Sequence, residues 1–195
     1  MIPYPYVYFK AIIRMLKNLS NQSIFLIGFM GAGKTELGQH LNQVLNRPFY
    51  DTDQVIEAEM GLSVASLFNT RGESWFRNQE AQTVELLTRL ASIILATGGG
   101  AILNSHNRDY LKTRGHVIYL KARIETLWDR IKDTGNTRPL LQDEHPFEKM
   151  KALLAMRAPL YEETAHTIID TDDLTLEELG ACVIHSLSST TVETH

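Results

Sequence analysis

One segment of eight residues, Gly28–Thr35 with the sequence GFMGAGKT, limits what this chain can fold into more than any other. It matches the pattern G-x-x-x-x-G-K-S/T of the phosphate-binding P-loop. The apolar run at 24–27 predicts a buried strand before the loop, and Leu37, Leu41 and Leu45 predict a helix after it. The motif needs this context of strand, glycine loop and helix, because the loop N–H groups and the helix N-terminus bind phosphate together.

The P-loop predicts that the chain binds a nucleoside triphosphate, but it does not identify the acceptor. Lys34 is expected to reach the β- and γ-phosphates, and the Thr35 hydroxyl is expected to bind Mg²⁺. The other ATP-binding residues predicted in this segment are Gly31, Ala32, Gly33 and Glu36. A chance glycine-rich turn is the alternative, and the flanking strand and helix argue against it.

Length and composition predict a single α/β domain. The chain has 195 residues, of which 44% are hydrophobic and 22% charged, and its net charge of −4 argues against a broad nucleic-acid-binding surface. Cys182 is the only cysteine, which excludes an intrachain disulfide and fits a reducing cytoplasm. No apolar run approaches the roughly 18 residues of a membrane-spanning helix. We therefore expect a cytoplasmic monomer that binds neither nucleic acid nor membranes.

Residues 1–22 form an N-terminal extension upstream of the P-loop unit. The aromatic stretch 1–9 contains Pro3 and Pro5 and has no basic region before it, so it is a poor signal peptide. Basic and apolar residues alternate over 10–17 and are compatible with a short helix at a membrane surface. A disordered extension, or a start of the natural chain at Met15, is favoured. We expect that a chain beginning at Met15 folds and functions normally.

The rest of the chain alternates predicted strands with predicted helices, the pattern of a parallel sheet covered by helices on both faces. Strands are predicted at 24–27, 47–53, 92–96, 116–120 and 167–169. Helices are predicted after the P-loop and at about 55–60, 63–68, 73–90, 103–112, 124–131 and 147–161, with the last one after Thr175. Gly61 is expected to end the helix at 55–60. The helix at 73–90 is expected to bury Phe76, Val84, Leu87 and Leu90, and Thr175-x-x-Glu178 forms a capping box.

The sequence also predicts the extent of the domain, a flexible tail and a mobile lid. Residues 23–187 are predicted to form the one domain, and residues 188–195 a flexible tail. The polar stretch 133–146 contains glycine and two prolines and has no periodicity, so it is predicted to be a mobile lid.

The pair Asp51-x-Asp53 at the end of the second predicted strand is a candidate for the chemistry. Alternate residues of an extended segment point the same way, so both carboxylates can face one cleft. One would orient Mg²⁺ through water, and the other would accept the proton of an acceptor hydroxyl. A solvated acidic turn, or a helix beginning near Gln54 with Asp53 as its N-cap, is the alternative, and spacing alone leaves both open.

Glycines and arginines elsewhere indicate an anionic acceptor. The segment 97–100, Thr-Gly-Gly-Gly, follows a predicted strand, where open α/β sheets bind ligands, although a flexible connection is the alternative. Arg77, Arg138 and Arg157 carry planar guanidinium groups that match carboxylate and phosphate. Each arginine alone is better explained as a surface residue, and only the combination with a P-loop and a lid indicates function.

From Ile24 to about Leu187 the chain resembles the shikimate kinases. The matching segments occur in order as GFMGAGKT (28–35), FYDTD (49–53), GESWFR (72–77), TGGG (97–100), RPLL (138–141) and RAPLY (157–161). The resemblance implies a three-layer α/β/α P-loop fold with a central five-stranded parallel sheet. It also implies transfer of the γ-phosphoryl group of ATP to the 3-hydroxyl of shikimate, a step in aromatic amino acid biosynthesis.

The same resemblance implies roles for individual residues. Asp53 would bind shikimate hydroxyls and act as the base, and Asp51 would assist Mg²⁺ through water. Arg77 and Arg157 would bind the substrate carboxylate. Arg138 would enter with the lid to stabilise charge on the transferred phosphoryl. The backbone contacts to the ring would come from Gly99 and Gly100.

Two positions depart from the family pattern, and two other functions remain as alternatives. Glu36 replaces a small or hydroxyl residue beside the phosphates, and Arg130 is the nearest match to the adenine-stacking arginine. No aspartate follows the strand at 92–96, so the usual second P-loop motif is missing there. A related kinase for another polyol acid such as gluconate is one alternative. A catalytically weak nucleotide-binding domain that acts by interaction is the other.

Overall fold

A five-stranded parallel sheet forms the centre of the structure, a computed structural model that describes residues 21–132 and 144–190. The strands lie in the order β2-β3-β1-β4-β5 and every neighbouring pair is parallel, as predicted. Their bounds are β1 (Ser23–Ile27), β2 (Phe49–Asp51), β3 (Ile94–Ala96), β4 (Gly115–Lys121) and β5 (Thr167–Asp170).

Helices connect successive strands and flank the sheet. Their bounds are α1 (Lys34–Leu45), α2 (Thr52–Met60), α3 (Val64–Arg71), α4 (Glu73–Leu87), α5 (Ser105–Arg114), α6 (Ile124–Ile131), α7 (Pro146–Thr164) and α8 (Leu176–Thr190). A short 3₁₀ helix, Ala101–Leu103, precedes α5. In the part of the chain that the structure describes, none of the helices has the length and apolar character needed to cross a membrane.

The central strand β1 is buried along its whole length because it has a strand on each side and helices on both faces. Phe25 lies opposite Leu95 of β3 and Val117 of β4. These three side chains belong to one hydrophobic core that also includes Leu37 of α1. The P-loop therefore begins at the end of a fully buried central strand.

The strand order brings distant segments together at one edge of the sheet. The chain goes from β1 to the outer strand β2 and returns to β3, which lies directly beside β1. Because all strands are parallel, the segments that follow them meet at the carboxyl edge. Ligands of open α/β sheets bind in the crevice at this edge, next to the point where the strand order reverses.

Local sequence patterns explain most helix ends. Gly61 ends α2 in the left-handed conformation with φ 67°, and the Ser63 hydroxyl caps α3 by accepting from the Ser66 N–H. The capping box of α8 is present, since Thr175 N–H donates to Glu178 Oε2 (2.9 Å) and Glu178 N–H donates to Thr175 Oγ1 (3.3 Å). The Gly61 helix end and the capping box, both predicted from the sequence, are confirmed.

Some predicted boundaries are wrong. Helix α4 ends at Leu87, and Leu90 is 43% exposed, because tight bonds from Arg89 and Leu90 N–H to carbonyls three residues back turn the chain toward β3. The helix predicted at 103–112 begins at Ser105, where the Asn104 side chain caps it. Helix α8 is described through Thr190, and the flexible tail expected at 188–195 stays a prediction.

Candidate active site

The P-loop curls around the N-terminus of α1. Gly33 occupies the N-cap position with φ 85°, a conformation that glycine adopts without strain. Gly28 is needed for a different reason, because a Cβ atom there would lie 2.7 Å from the carbonyl oxygen of Leu120. Among the described residues no side chain caps α1, so its first N–H groups face the loop as donors for an anion.

Lys34 and Thr35 face two different sets of partners. The Lys34 ammonium donates to the carbonyl oxygens of Gly28 and Phe29, both at 2.9 Å, and so lies across its own loop. The Thr35 hydroxyl donates to Asp51 Oδ2 at 2.7 Å, which links the start of α1 to the end of β2. The hydroxyl and the carboxylate together form a small oxygen-lined site beside the loop.

The structure corrects the expected geometry of the aspartate pair. Only Asp51 belongs to strand β2, whereas Asp53 lies in the first turn of α2. Asp51, not Asp53, is the N-cap, because its Oδ1 accepts from the N–H groups of Asp53 (3.0 Å) and Gln54 (3.5 Å). Both aspartates still line the same cavity, although a helix turn rather than an extended segment places them there.

That cavity, here called the P-loop cavity, has a volume of about 590 Å³. Its walls include the loop residues, Asp51, Asp53 and Glu36. Arg130 and a group of apolar side chains, here called the apolar end, also line it. Those apolar side chains are Ile131, Leu174, Leu176 and Leu179. The cavity thus joins a phosphate-binding loop to an apolar end of the kind that accepts a flat ring.

Arg130 holds two parts of the P-loop cavity together. Its guanidinium donates to the Gly31 carbonyl at 3.3 Å and to the Thr171 carbonyl at 3.1 Å. The same segment after β5 is fixed a second time by Asp172, whose carboxylate accepts from the backbone N–H of Arg123 and from its Nε (2.9 Å). Helix α6 therefore fixes the loop that follows β5, and with it the apolar end.

A second cavity of about 480 Å³, here called the arginine cavity, adjoins the first. Its lining includes Arg77, Glu80, Phe68, Phe76 and Arg157. The two cavities share four residues, which are Met30, Asp53, Gly98 and Gly99. A ligand in either cavity would therefore lie beside these four residues.

Arg77 extends from α4 toward the glycine segment. Its Nη1 pairs with Glu80 Oε2 at 2.7 Å, and its Nη2 pairs with Glu73 Oε1 at 3.2 Å. A Cβ atom on Gly100 would overlap the Arg77 guanidinium, so the glycine is required for this close approach. Burial lowers the pKa of Arg77, but the carboxylates of Glu80 and Glu73 outweigh it and raise the pKa overall, which keeps the guanidinium charged.

Arg157 is buried and reaches the glycine segment from the opposite side. Only 2% of the residue is exposed, and its Nη1 donates to the Gly99 carbonyl at 3.3 Å. The Tyr161 hydroxyl donates to the same carbonyl at 2.6 Å. Arg157 Nε is buried and has no hydrogen-bond partner in the part of the chain that the structure describes. A buried donor of this kind favours a site that takes a polar ligand.

Asp53 stands where the two cavities meet, and its surroundings favour the protonated form. Its Oδ1 is buried without a hydrogen-bond partner among residues 21–132 and 144–190. Burial and the neighbouring carboxylates of Glu80 and Asp51 raise the pKa of Asp53 to about 7, against the opposing effect of Lys34 and Arg77. A carboxyl group with a pKa near 7 suits proton transfer at neutral pH.

The match to the family model decides the classification of this chain. The model described as shikimate kinase matches residues 30–188. The chain belongs to the shikimate kinase family. It is therefore a kinase of a family that uses ATP, and the fold and enzyme class predicted from the sequence are confirmed.

Individual members of the shikimate kinase family show the same relationship. A shikimate kinase of Burkholderia thailandensis is 47% identical over 149 residues, covering 76% of this chain and 80% of the relative. The structure of the shikimate kinase from Acinetobacter baumannii in complex with shikimate superposes with a TM-score of 0.87. That comparison covers 92% of this chain and 99% of the other at 38% identity.

A gluconokinase structure gives a useful contrast within the same fold. The enzyme from Sinorhizobium meliloti covers 90% of this chain and 98% of its own, but with 18% identity and a TM-score of 0.54. This likeness extends to the fold alone. The shikimate kinase assignment is therefore supported over the gluconate alternative that the sequence left open.

The residues expected from the family resemblance are mostly placed together. Lys34, Thr35, Asp51 and Asp53 meet at the P-loop, while Arg77, Arg157, Gly99 and Gly100 line the arginine cavity. Arg138 and residues 133–143 of the lid predicted at 133–146 lie outside the described residues, and α7 begins at Pro146. Glu36 is exposed on the first turn of α1 and lines the P-loop cavity.

Two residues of the site were not predicted. Glu80 follows Arg77 by three positions on one helix, a spacing at which opposite charges meet, so the sequence contained a local sign of this pair. Tyr161 was recognised only as part of a motif. Its contact with the Gly99 carbonyl joins residues 62 positions apart, and no local pattern indicates such a contact.

Proposed function

We propose that this chain transfers the γ-phosphoryl group of ATP to the 3-hydroxyl of shikimate, giving shikimate 3-phosphate and ADP. The observation that carries the proposal is the junction of the two cavities at Asp53, Gly98 and Gly99. One cavity offers a phosphate-binding loop, and the other offers two arginines for an acid with hydroxyl groups. Membership of the shikimate kinase family identifies that acid.

The nucleotide would occupy the P-loop cavity. The loop N–H groups and Lys34 would bind the β- and γ-phosphates, with Gly31, Ala32 and Gly33 supplying backbone contacts. The adenine ring would lie at the apolar end between Arg130 and the segment after β5. Glu36, on the first turn of α1, would lie near the phosphates, and its effect on nucleotide affinity stays a prediction.

The residues beside the P-loop fit a Mg²⁺ ion. Thr35 Oγ1 and Asp51 Oδ2 are hard oxygen ligands 2.7 Å apart at the edge of the cavity. Within the described residues no group of three or more His, Cys, Asp or Glu side chains could hold a metal. Mg²⁺ suits such a sparse site, because phosphate oxygens and water complete its coordination. When bound, the ion would neutralise charge on the phosphates.

Asp53 would act as the base and would also bind the acceptor hydroxyls. The proton of the 3-hydroxyl passes to the Asp53 carboxylate as the hydroxyl oxygen bonds to the γ-phosphorus. The bond to the β-phosphate oxygen breaks, and ADP leaves. The raised pKa of Asp53 supports this role, since it makes the carboxylate a stronger base than an ordinary aspartate.

Arg77 and Arg157 would bind the carboxylate of shikimate, and the backbone of Gly99 and Gly100 would contact its ring. Both arginines are fixed before any ligand binds, Arg77 by two carboxylates and Arg157 by the Gly99 carbonyl. Preorganised donors of this type supply binding energy and orientation rather than direct stabilisation of the transferred group.

Arg138 is proposed from the family resemblance to stabilise charge on the transferred phosphoryl group when the lid closes. Closure would also exclude water and limit hydrolysis of ATP. We further infer a cytoplasmic location, because the single cysteine fits a reducing compartment, and the monomer expected from the sequence stays a prediction.

The test is the release of ADP by the purified protein with Mg²⁺ and ATP. We expect release that depends on shikimate, with gluconate as the control acceptor giving only the background rate. Release that depends on gluconate would contradict the choice of acceptor. ATP binding without release in the presence of either acid would contradict the catalytic function and favour a nucleotide-binding domain that acts by interaction.

A further inference from the structure

The start of β5 is attached to β4 by a histidine ring that takes the place of a backbone group. His166 lies between the end of α7 and the start of β5, and its N–H donates to the Val117 carbonyl at 2.9 Å. The Val117 N–H donates back to Nδ1 of the His166 ring, also at 2.9 Å. Within a parallel sheet a carbonyl oxygen normally accepts such a bond. The imidazole therefore completes the first hydrogen-bonded step between β4 and β5.

This contact fixes the protonation state of His166. A backbone N–H can only donate, so the Nδ1 atom that accepts from it carries no hydrogen, and the neutral ring holds its hydrogen on Nε2. His166 is exposed and can take a proton from solvent, whereas Val117 is fully buried. A proton on Nδ1 would set two N–H groups against each other and leave the buried Val117 donor unpaired, which is costly.

A second imidazole lies against the first. His116 precedes Val117 on β4, is 5% exposed, and stacks on His166 with the ring centroids 5.4 Å apart. Its Nε2 lies 2.8 Å from the hydroxyl oxygen of Thr167, the first residue of β5. On the other side of β4, the residue opposite His116 is the apolar Ile24 of β1. The two rings together hold the start of β5 against β4.

The charges around the two rings oppose protonation. Burial and the ammonium of Lys112 on α5 lower the pKa of His166, while burial and the His166 ring lower the pKa of His116. Lys112 also donates to the carbonyl of Glu163 at 3.0 Å, three residues before His166. The side chain of Glu163 is exposed, and Glu162 pairs with the lysine at the end of β4. A proton on either ring therefore adds positive charge beside an ammonium group.

The same junction holds the end of the helix that reaches the acceptor site. The Tyr161 hydroxyl donates to the Gly99 carbonyl, and the Ala165 N–H donates to the Tyr161 carbonyl at 3.0 Å. One hydrogen-bonded turn thus separates Tyr161 from His166. The ring of Tyr161 also stacks on Tyr119 of β4, with the centroids 5.0 Å apart. Release of the start of β5 from β4 would therefore loosen the end of α7 next to the arginine cavity.

We propose that His116 and His166 form an acid-sensitive latch, in which protonation of His166 breaks its bond with the Val117 N–H, releases the start of β5 and weakens the binding of shikimate through α7. The effect on shikimate rests on the proposed function, whereas the latch itself does not. Because the folded state holds the proton less tightly than the unfolded chain, the latch contributes fully to stability above the ordinary histidine pKa of 6.5. This contribution is lost as the pH falls below that value.

The first experiment determines the protonation state of the rings in the full wild-type chain. Two-bond ¹H–¹⁵N spectra of protein labelled with ¹⁵N and ¹³C, assigned through the bonds of each residue, identify the tautomer. We expect His166 to carry its hydrogen on Nε2 at neutral pH, and the Val117 amide signal to shift at the pH midpoint of His166. A hydrogen on Nδ1 at neutral pH, or a Val117 signal that does not respond, would overturn the proposal even if no variant folds.

His166→Asn is the matched variant, because the asparagine Oδ1 can accept from the Val117 N–H but does not titrate. Between about pH 7.5 and about pH 5.5 the Tm of the wild type should fall by about 2–4 °C more than that of His166→Asn. All other titrating groups are common to both chains. His106→Asn is the control, since His106 is exposed on α5 and should leave the pH dependence unchanged. An equal fall in the wild type and His166→Asn would overturn the latch.

The KM for shikimate at the same two pH values tests the link to the acceptor site. On acidification it should rise about 5-fold more in the wild type than in His166→Asn, with the KM for ATP changing equally in both. Equal changes in the KM for shikimate would overturn the link. If ADP release did not depend on shikimate at either pH, the proposed function would be contradicted, while the ring spectra and the melts would still decide the latch.

Discussion

The two cavities of this protein are built in different ways. The P-loop cavity takes its phosphate-binding part from eight consecutive residues, Gly28–Thr35, and mainly from backbone N–H groups at the start of α1. The arginine cavity takes its charged groups from the side chains of Asp53, Arg77, Glu80 and Arg157, which stand on three different helices. The first is a local structure, and the second exists only in the assembled fold.

The difference has a physical consequence. Backbone donors at a helix N-terminus are placed by the helix itself and need no buried charge. The arginine cavity instead places ionisable groups inside the protein, where Asp53, Glu80 and Arg157 each have a buried polar atom without a partner among the described residues. We therefore expect mutations in the P-loop to change nucleotide binding and rate, and those in the arginine cavity to change acceptor binding, stability and pH dependence.

The largest expected effect is that of Asp53→Asn. Loss of the base should lower kcat by about 10²–10⁴-fold, while titration with a fluorescent ATP analogue gives a Kd close to that of the wild type. Lys34→Ala should also lower kcat, by about 10²–10³-fold, but should weaken nucleotide binding as well. A fully active Asp53→Asn variant would contradict the assignment of the base.

The same Asp53 variant tests the cost of the buried carboxyl group. The pKa of Asp53 is raised to about 7 in the folded protein, against an ordinary 3.8 when unfolded. The folded state therefore holds the proton more tightly, and wild-type stability falls as the pH rises from about 4 to about 7. Thermal melts should show Asp53→Asn with the higher Tm at pH 8, and the difference should shrink toward pH 4. A difference independent of pH would contradict the raised pKa.

The next largest effect is expected for Arg77→Ala. Losing a charge-assisted contact with the substrate carboxylate should raise the KM for shikimate by about 10- to 100-fold, with the KM for ATP changed by less than about 2-fold. Arg89→Ala is the matched control, since Arg89 lies just past α4 and also pairs with a glutamate, Glu85, but is mostly exposed. Equal changes of both KM values in Arg77→Ala would show that the two cavities do not divide the substrates as proposed.

Two glycine variants, one in each cavity, are expected to have smaller effects that again fall on different substrates. In Gly33→Ala no described atom lies within 4 Å of the new Cβ, so the effect is backbone strain at φ 85°, about 1–2 kcal/mol, and it should raise the KM for ATP. In Gly100→Ala the new Cβ overlaps the Arg77 guanidinium, so the KM for shikimate should rise by about 10-fold. If both variants raised the KM of the same substrate, the assignment of ATP to the P-loop cavity and of shikimate to the arginine cavity would be wrong.

The smallest expected effect is that of Thr175→Ala at the capping box of α8. Loss of the hydroxyl that accepts from the Glu178 N–H should lower Tm by about 2–4 °C. Both KM values should stay near those of the wild type. The control is Thr70→Ala, whose hydroxyl donates only to a carbonyl within α3. A drop in Tm of the same size in both variants would show that the capping box contributes nothing specific.

Short-range patterns in the sequence predicted much of the fold. The P-loop unit, the bounds of α6 at Ile124–Ile131, the Gly61 helix end and the capping box of α8 all depend on residues within a few positions of one another. Where several local preferences compete, the predicted ends of helices were wrong. Leu90 has the right spacing for α4, but the turn into β3 takes it to the surface.

For the candidate site too, the sequence predicted which residues take part but not how the fold arranges them. The motifs named Lys34, Asp53, Arg77 and Arg157, but they did not give the strand order that brings them to one edge of the sheet. They also left open whether Asp53 lies on an extended segment or caps a helix, whereas the structure places it in the first turn of α2, after the Asp51 cap. The role of Arg138 and the lid stays a prediction, because the segment 133–143 lies outside the described residues.

The sequence by itself determined that this chain contains a phosphate-binding loop, alternating strands and helices, and the set of residues that relates it to the shikimate kinases. Only the tertiary structure decided that Glu80 Oε1 and Asp53 Oδ1 flank Gly98, and that Arg157 and Tyr161 both donate to the Gly99 carbonyl. The reason is physical. A backbone conformation depends on neighbours along the chain, whereas a pKa or a buried contact depends on distances that the packed sheet and helices set.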